Sequence, residues 1–383
     1  MLRERSASLQ PAEIPFPQDG IFGLKDRIER LEGVEREIAA RILRVSTALG
    51  ETEPPETMYP DIENRYGDVE RVKRQPIVRV VVLPLGRGTL FNAIRSKRPG
   101  MTRNGDNDDK VQLQISNSLE KGDIFANPME GTPESMWGRI RGEHSISAEN
   151  IAKFDGEHSL VIFNEAHPLR FSREQVVDYL QAASSIWDAQ HANNPDAVYP
   201  FLMWQALGKS ASSVTHGHLQ VVMAEGMHYS LIERLRQDAQ AYKQKYGANF
   251  WTDYEHLHDK LGLMIRRNGA VVMSHIAPIK EREICMLGTE FNEEFMEDTF
   301  DLLDVYINRL GVRSFTLSIS RPPIAETDED WTDFPVLLRL VDRGDPTTPT
   351  ADIGAMELYA ESVVAADPYD VRRVLSEHWG ESV

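Results

Sequence analysis

Cysteine is almost absent from this sequence, in which Cys285 is the single example among 383 residues. One thiol cannot form a disulfide within the chain, and it excludes a zinc site built from several cysteines. Long apolar runs are missing as well, since no window approaches the roughly 18 apolar residues of a membrane span. The N-terminal residues MLRERSASLQPAEIP lack the apolar segment of a secretory signal peptide. These absences together predict a cytoplasmic protein with no membrane partner.

Positive charge is also in short supply. The 42 lysines and arginines are outnumbered by 60 aspartates and glutamates, which gives a formal net charge of −18. A protein that binds long nucleic acid usually carries a basic stripe, because neutralising phosphates supplies much of the affinity. The basic clusters of this chain are short and diluted by acids, so long nucleic acid is not an expected partner. A small anionic substrate would depend on a local positive patch or on backbone amides.

The hydrophobic content of 41% allows a sizeable core, and the length suggests about two domains of roughly 150 residues each. We divide the chain into three parts on this basis. Residues 1–75 are expected to form an N-terminal arm, a helix and a linker. Residues 76–228 are expected to form a first half that carries the chemistry, and residues 229–383 a second half of similar build.

The N-terminal part shows apolar residues at steps of three, four or seven between Leu24 and Leu49. This period predicts one amphipathic helix that ends near Gly50 and packs on the body or on a second subunit. Residues 1–23 are polar and rich in proline, which is typical of an irregular arm. Prolines and charges over residues 51–75 predict a linker.

The first half contains both strand and helix signals. Residues 77–83 and 159–164 are apolar runs that predict two strands. Residues 96–110 predict a polar loop, and the alternating apolar residues over 111–115 predict a half-buried strand. Ser172 is expected to cap a helix that has its apolar residues on one face.

The order of these signals recurs in the second half. Each half has a strand, a helix and then two further strands. We therefore expect an α+β fold with duplicated units, each an antiparallel sheet with packed helices. The further segments concerned are residues 201–204 and 219–223 (strands), 230–246 (helix), 269–276 (strand), 293–310 (helix), 315–319 and 335–341 (strands) and 368–379 (helix).

Residues 207–222, LGKSASSVTHGHLQVV, carry the clearest chemical signal. His216, His218 and Gln220 alternate, so on a strand they would project from one face, directly after a turn of small residues. Imidazole is a good nucleophile near neutral pH, and attack on an α-phosphate would form a covalent phosphoramidate. A glutamine amide and the amides of the turn could then donate to the phosphate oxygens. The alternative is a pair of histidines on a solvent-facing strand edge or satisfied in the core.

The stretch SSVTHGHLQ resembles the active-site signature of galactose-1-phosphate uridylyltransferases, a branch of the histidine-triad (HIT-like) superfamily. Diadenosine tetraphosphate phosphorylases have a similar stretch. Residues 123–134, 147–154, 159–172 and 356–379 resemble further family segments, and they occur in the right order. The likeness thus runs from about residue 120 to the end, while the first 75 residues find no counterpart.

The resemblance implies roles for individual residues. His218 matches the family's nucleophile, and Gln220 matches the residue that orients the phosphate. Ser213 matches a serine of the turn that contacts phosphate, and the backbone amides around Ser212 would share the developing charge. Asn150 matches an asparagine that contacts the nucleotide.

The resemblance also raises the question of zinc. Many family members hold a zinc ion with two cysteines and two histidines, but here Asp123 and Ala126 replace the cysteines. Asp123, His167 and His216 could still form a three-ligand site, since zinc accepts carboxylate and imidazole. The missing thiolates favour loss of the metal, so no cofactor is assigned with certainty. His216 would then have a structural role, holding the loop through a hydrogen bond.

Other positions depart from the family pattern too. Gly217 stands where the uridylyltransferases usually have proline. Residues 337–339 (LLR) replace a late His-x-His pair, so a second metal site is expected to be lost. His256 and His258 lie two apart in a polar helical stretch and are expected to be surface residues. Lys209 could neutralise a phosphate or be a solvated loop lysine.

The function that the resemblance implies is nucleotidyl transfer. A nucleoside monophosphate, UMP by family analogy, would move between a nucleoside diphosphate sugar and a sugar phosphate through nucleotidyl-His218. The partners would be a nucleotide sugar and a phosphorylated small molecule, and analogy suggests a homodimer. Two alternatives stay open. One is phosphorolysis or hydrolysis of a dinucleoside polyphosphate by adenylyl transfer, and the other is a homologue that binds nucleotide without turnover.

Overall fold

The computed structural model describes residues 18–97, 107–349 and 351–380. Most of the arm expected over residues 1–23, and the centre of the loop expected over 96–110, lie outside these ranges. No helix within them is both long and apolar enough to cross a membrane.

The strands of the described residues are β1 (Leu43–Glu51), β2 (Arg74–Val82), β3 (Arg87–Phe91), β4 (Ser145–Glu149), β5 (Glu157–Phe163), β6 (Ala197–Gln205), β7 (His218–Glu225), β8 (Met264–Arg266), β9 (Ala270–Ser274), β10 (Glu281–Gly288), β11 (Phe315–Ser320), β12 (Val336–Asp342) and β13 (Ser362–Val364). The α-helices are α1 (Leu24–Glu29), α2 (Gly33–Ile42), α3 (Tyr59–Tyr66), α4 (Val69–Lys73), α5 (Asp108–Glu120), α6 (Pro128–Gly131), α7 (Arg173–Asn193), α8 (Ser230–Tyr246), α9 (Phe250–Lys260), α10 (Glu293–Asn308), α11 (Ala355–Tyr359) and α12 (Pro368–Trp379). Short 3-10 turns cover Gly20–Gly23, Glu56–Met58, Ala93–Lys97 and Gly208–Ser210.

Two sheets organise these elements. The larger has nine strands in the order β4-β5-β7-β6-β11-β12-β10-β9-β8, and every neighbouring pair in it is antiparallel. The smaller joins β1, β2, β3 and β13, with β13 parallel to β3. The fold is therefore α+β, with a large antiparallel sheet and packed helices, as expected from the sequence.

The nine-stranded sheet contains the duplication. The first half runs β4, β5, α7, β6, β7 along the chain, and the second half runs β9, β10, α10, β11, β12 with the same spatial order. The halves join through the pair β6–β11, where Met203 lies opposite Ser318. Gln220 pairs with Met203, and Arg339 pairs with Ser318. Gln220 and Arg339 therefore occupy equivalent places on one face of the sheet, because directly paired residues point to the same side.

Helices α7 and α10 cover the other face and pack against each other. α7 begins where the sequence predicted, because Ser172 and Gln175 form a reciprocal capping box. Its inner side chains Tyr179, Leu180 and Trp187 are at most 1% exposed. Burial of each large apolar side chain of this kind stabilises a fold by roughly 1.5–3 kcal/mol.

The small sheet packs against the second half. Val78 and Val80 of β2 share a buried cluster with Trp251 of α9 and Leu287 of β10. On the first half, the same face of the large sheet is covered by a smaller cluster around Phe125, whose other buried members are Ile146, Ala148, Leu160 and Ile162. The face that bears Gln220 is thus closed by a loop segment in the first half and by a whole sheet in the second.

The single helix expected between residues 24 and 49 is wrong, because this part of the chain forms two helices, α1 and α2, and then a strand. After Ile42 the chain enters β1, all of whose residues pair with β2. β-branched Val45 and Thr47 favour an extended chain, and a sparse apolar spacing of three or four cannot by itself separate strand from helix. The linker expected over residues 51–75 contains α3, α4 and the start of β2.

The strand expected over residues 111–115 is also wrong, since these residues lie within helix α5. Val111 and Ile115 are 2% and 1% exposed, whereas Leu113 between them is 61% exposed. Positions i and i+4 share a face of a helix, so only the outer two of the three apolar residues reach the core. Apolar residues at positions 111, 113 and 115 fit both a strand and a helix. Tertiary packing decided in favour of the helix.

Most other sequence-based elements are confirmed. Helices α8 and α12 have the bounds expected from the sequence, and α10 ends two residues early. The expected strands correspond to β2, β5, β6, β7, β9, β11 and β12. Those that the sequence did not reveal are the short or edge strands β3, β4, β8 and β13, together with β1 and β10.

Candidate active site

A tight turn of small residues leads into β7. Leu207 and Ala211 both adopt left-handed backbone conformations, with φ of 69° and 70°. Non-glycine residues rarely do so, and each costs of order 1–3 kcal/mol that the surroundings must supply. Ser210 holds the turn in place, because its buried hydroxyl lies 2.7 Å from the carbonyl oxygen of Leu207 and 2.9 Å from that of Ala206.

Of the three polar residues of the signature, His218 and Gln220 lie on β7, and His216 lies just before the strand. His218 and Gln220 lie on one face of β7. The alternate residues Leu219 and Val221 point to the opposite face, into the core under α7. The Phe125 ring makes edge contacts with both histidines, at centroid distances of 5.9 Å to His216 and 5.2 Å to His218. The loop segment around Phe125 therefore covers this end of the face.

A single hydrogen bond orients the ring of His218. Its Nδ1–H donates to the carbonyl oxygen of His216 at 2.8 Å, which leaves the lone pair on Nε2. Within the described residues Nε2 has no hydrogen-bond partner, and it is not among the fully buried atoms. Burial lowers the pKa of His218, and the charge of the neighbouring His216 adds to that effect. The ring is therefore neutral at pH 7 and keeps a lone pair on Nε2.

Two acceptors hold the ring of His216. Its Nδ1 lies 2.6 Å from a carboxylate oxygen of Asp123, and its Nε2 lies 2.7 Å from the carbonyl oxygen of Phe163. Since both neighbours are acceptors, both ring nitrogens donate and the ring is an imidazolium paired with Asp123. This buried ion pair ties the loop that carries Phe125 to the strand that carries His218.

These residues do not fit the zinc site that the family suggested. Both nitrogens of His216 donate hydrogen bonds, so neither offers a lone pair to a metal. His167 donates from Nε2 to Gln112 at 2.9 Å, and its Nδ1 accepts from the amide of Leu169 at 3.2 Å. In the described ranges, the ligand atoms of Asp123, His167 and His216 do not gather into a metal-sized group.

One other triad does gather, on the second half. Ligand atoms of His275, Glu283 and Cys285 all lie within 4.8 Å of one another. Arg339 donates to Glu283 from Nε at 2.7 Å, so a guanidinium already provides the positive charge. Burial raises the pKa of the Cys285 thiol, which therefore stays protonated. The cluster is a buried ion pair, and it stands at the equivalent of the Gln220 position.

His258 is buried, so the expectation of a surface residue is wrong. It is 0% exposed, and Nδ1 donates to the carbonyl oxygen of Tyr254 at 2.9 Å. Burial lowers its pKa to about 3. His256, two residues away, lies 3.8 Å from Glu35 and is partly exposed. The two side chains do lie on different faces of α9, but one of these faces packs on the core.

The expected substrate-binding residues occupy different settings. Asn150 lies beside His158, with Asn150 Nδ2 3.2 Å from His158 Nε2. Ser213 is exposed on the turn, whereas the Ser212 hydroxyl donates to the carbonyl oxygen of Val214 at 2.7 Å. These contacts place the amide of Asn150 at the same site as the signature and leave the Ser213 side chain in solvent.

Lys209 contacts the C-terminal part of the chain. Its ammonium group lies 3.1 Å from the Thr348 hydroxyl and 3.4 Å from the Thr348 carbonyl oxygen. The Lys209 side chain is therefore not freely solvated. It links the turn before β7 to the segment after β12.

His158 is a site residue that the sequence did not reveal. It is 0% exposed, and its Nε2 lies 2.9 Å from Oε1 of Gln220. The register of β5 against β7, in which Leu160 is opposite Gln220, brings the two side chains together. No local sequence pattern indicates that register. The sequence therefore did not predict the contact between His158 and Gln220, which are 62 positions apart.

Gly217 provides a close approach of two chain segments, and its substitution is expected to destabilise the protein. A Cβ added there would lie 2.6 Å from Cδ2 of Phe163, a ring that is itself stacked on Tyr179 at 3.7 Å. We expect Gly217→Ala to lower the free energy of unfolding by about 1–3 kcal/mol through overpacking, measured by denaturant titration. Gly208→Ala in the same turn is the matched control, since nothing lies within 4 Å of its added Cβ. Equal stability of the two variants would contradict this account.

The same position explains why the proline of the resembled signature would not fit here. The amide of Gly217 donates to the carbonyl oxygen of Ala166 at 3.0 Å. Proline has no N–H, so it would lose this bond as well as meet Phe163.

Comparison with known proteins supports the fold. No protein-family model and no curated protein sequence matches the chain. An ADP-glucose phosphorylase from Arabidopsis thaliana, solved with bound ADP-glucose, superposes with a TM-score of 0.57 and 13% identity, over 77% of this chain and 96% of that one. A GalT-like protein from Arabidopsis thaliana gives 0.54 and 15%, over 66% and 91%. A uridylyltransferase gives 0.53 and 11%, over 67% and 91%.

The fold is thus similar to those of an ADP-glucose phosphorylase, a GalT-like protein and a uridylyltransferase. The resemblance that rested on SSVTHGHLQ is therefore confirmed at the level of structure. In this chain the signature lies on the first half of the nine-stranded sheet, and the second half holds the Glu283–Arg339 pair at the corresponding place.

Proposed function

We propose that this GalT-like chain is a nucleotidyltransferase that carries a nucleoside monophosphate on Nε2 of His218. The observation that carries the proposal is the 2.8 Å hydrogen bond from Nδ1–H to the His216 carbonyl, because it directs the free lone pair to Nε2. The donor is a nucleoside diphosphate sugar, and the acceptor is a phosphate or a sugar phosphate.

The reaction takes place in two displacements. The Nε2 lone pair attacks the α-phosphorus of the donor, a P–N bond forms, and the bond from phosphorus to the bridging oxygen breaks with departure of the sugar phosphate. An oxygen of the acceptor phosphate then attacks the same phosphorus, and the P–N bond breaks. The Nδ1 proton stays on the ring throughout, donating to the carbonyl oxygen of His216, which disperses the positive charge of the intermediate.

Phosphate binding is assigned to neutral donors. The Gln220 amide and the backbone N–H groups of the turn donate to the non-bridging oxygens. Asn150 contributes a further amide near the nucleotide. This arrangement suits a chain of formal net charge −18, because amide dipoles can bind a phosphate without a basic surface.

UMP is the first candidate for the carried group, by analogy with the uridylyltransferase of similar fold. AMP is the second, since the similar Arabidopsis structure is an ADP-glucose phosphorylase. Incubation of the full-length protein with UDP-glucose or ADP-glucose, followed by intact mass measurement at neutral pH, tests both. The proposal expects the mass of one uridylyl or one adenylyl group, located on His218 by peptide mapping. Absence of an adduct with either donor, together with simple reversible binding, would favour a nucleotide-binding homologue.

The pH profile of adduct formation provides a further prediction. Burial lowers the pKa of His218 below the ordinary 6.5, so the neutral nucleophile persists as the pH falls through that value. We expect the single-turnover rate to stay constant from pH 8 to 6.5 and to fall only at lower pH. Free imidazole with the same donor is the reference. A midpoint above 6.5 would show that the folded protein stabilises the imidazolium, contrary to the geometry.

A further inference from the structure

A continuous hydrogen-bond chain crosses the floor of the site. The amide of Phe154 donates to Nδ1 of His158 at 2.9 Å, and Nε2 of His158 lies 2.9 Å from Oε1 of Gln220. Nε2 of Gln220 donates to Oε1 of Gln205 at 3.1 Å, and Nε2 of Gln205 donates to the carbonyl oxygen of Ser210. The chain connects the loop between β4 and β5 with the turn before β7.

The two ends fix the direction of every bond. A backbone N–H can only donate and a carbonyl oxygen can only accept, so the chain runs one way from Phe154 to Ser210. Nδ1 of His158 accepts, which puts the proton of the neutral ring on Nε2. Gln205 must turn its amide nitrogen towards Ser210, so its oxygen faces Gln220. Gln220 must then present nitrogen to Gln205 and oxygen to His158.

Asn150 does not interrupt this chain. Its Oδ1 accepts from the amide of Ala152 at 2.9 Å, which fixes the carboxamide and leaves Nδ2 3.2 Å from Nε2 of His158. Both atoms are donors, so that contact is not a hydrogen bond. The His158 proton therefore goes to Gln220, and the amide hydrogens of Asn150 remain for a ligand.

The surroundings keep His158 neutral. The ring is 0% exposed, and the Phe154 ring lies over it at a centroid distance of 4.5 Å. Burial lowers the pKa of His158, and the charged groups near it, Glu149, Lys153 and Asp155, are of mixed sign. A protonated ring would turn an Nδ1–H against the Phe154 amide, so the chain requires the neutral form.

We propose that His158 is a positioning residue for nucleotidyl transfer, which by donating from Nε2 orients the Gln220 carboxamide so that its second N–H meets the transferring phosphate. This inference rests on the proposed function above. Without His158 the oxygen of Gln220 has no donor, and the carboxamide can rotate and turn that oxygen towards the phosphate. Two acceptors would then face each other, and the transition state would lose a hydrogen bond.

The tautomer tests the proposal without any reaction. Nitrogen-15 NMR of the full-length protein, with His158 assigned by comparison with His158→Gln, is expected to show a neutral ring with Nδ1 unprotonated and Nε2 protonated at pH 7.5. The side-chain amide signals of Gln220 should shift in His158→Leu. A proton on Nδ1, or a charged ring at that pH, would overturn the proposal.

Kinetics provide the second test. We expect His158→Leu to lower the rate constant for adduct formation about ten- to hundredfold, the usual loss when an orienting partner is removed, with less than about a threefold change in the KM for the donor. His158→Gln, whose amide nitrogen can replace Nε2 as donor, should recover most of that rate.

His228→Leu is the matched control for the loss of a buried histidine. His228 is 1% exposed, and its Nδ1 accepts from the amide of Tyr229 at 2.8 Å, but no glutamine is among its hydrogen-bond partners in the described residues. Its rate should equal that of the wild type. If the wild type forms an adduct and His158→Leu forms it equally fast, the positioning role is refuted alone. If the wild type forms no adduct with either donor, the proposed function is refuted. The tautomer measurement then still tests whether the hydrogen-bond chain through His158 exists.

Discussion

Replacing His218 with asparagine is expected to lower the rate of nucleotidyl transfer by roughly a thousandfold or more and to abolish the covalent adduct, as is usual when a nucleophile is removed. Asparagine retains a polar side chain at a position that is 9% exposed, so the fold should remain intact. What disappears is the lone pair on Nε2, which no other group replaces. Turnover with UDP-glucose or ADP-glucose and intact mass measurement would quantify the loss.

The control for this substitution is His256→Asn. That side chain lies on the partly exposed face of α9, next to Glu35. Wild-type rates are expected for it. Unchanged turnover in His218→Asn, with a melting temperature equal to that of the wild type, would refute both the nucleophile and the proposed reaction.

Replacing Asp123 with alanine is expected to lower the free energy of unfolding by about 3–5 kcal/mol. The Asp123 carboxylate is 2.6 Å from Nδ1 of His216, and the two side chains are only 10% and 5% exposed. Removal of the carboxylate leaves a buried imidazolium without its counter-charge. The loss should also release the loop around Phe125, which contacts His218. Urea titration would measure the stability.

Two further variants test that explanation. Asp109→Ala removes an exposed carboxylate from the first turn of α5 and should cost less than about 0.5 kcal/mol. The double variant Asp123→Ala, His216→Gln removes both charges, so it should be more stable than Asp123→Ala alone. Additive losses from the two substitutions would show that no ion pair joins these residues.

Buried ion pairs stand in both halves where the sequence resemblance had suggested metal ligands. The first half has the Asp123–His216 pair, and the second half has the Glu283–Arg339 pair. Each pair links segments that are distant in the sequence, as a structural metal would. A buried ion pair with good hydrogen bonds can perform that linking without a cofactor, although breaking either pair is costly.

The sequence by itself determined the features that depend on near neighbours. The cap at Ser172, the period of α8 and α12 and the apolar runs of the central strands act over a few residues, so they could be read directly. The same holds for the signature with His218 and Gln220, whose alternation needs only a strand. The duplication was visible because the order of the elements repeats.

Only the tertiary structure decided what depends on pairing between distant segments. β1 became a strand because β2 lies beside it, and α5 became a helix because two of its apolar residues reach the core. The ion pair of Asp123 with His216 joins residues 93 positions apart, and the contact of His158 with Gln220 joins residues 62 apart. Such contacts depend on strand register and on the packing of loops over the sheet. These are properties of the whole fold, and no short stretch of sequence encodes them.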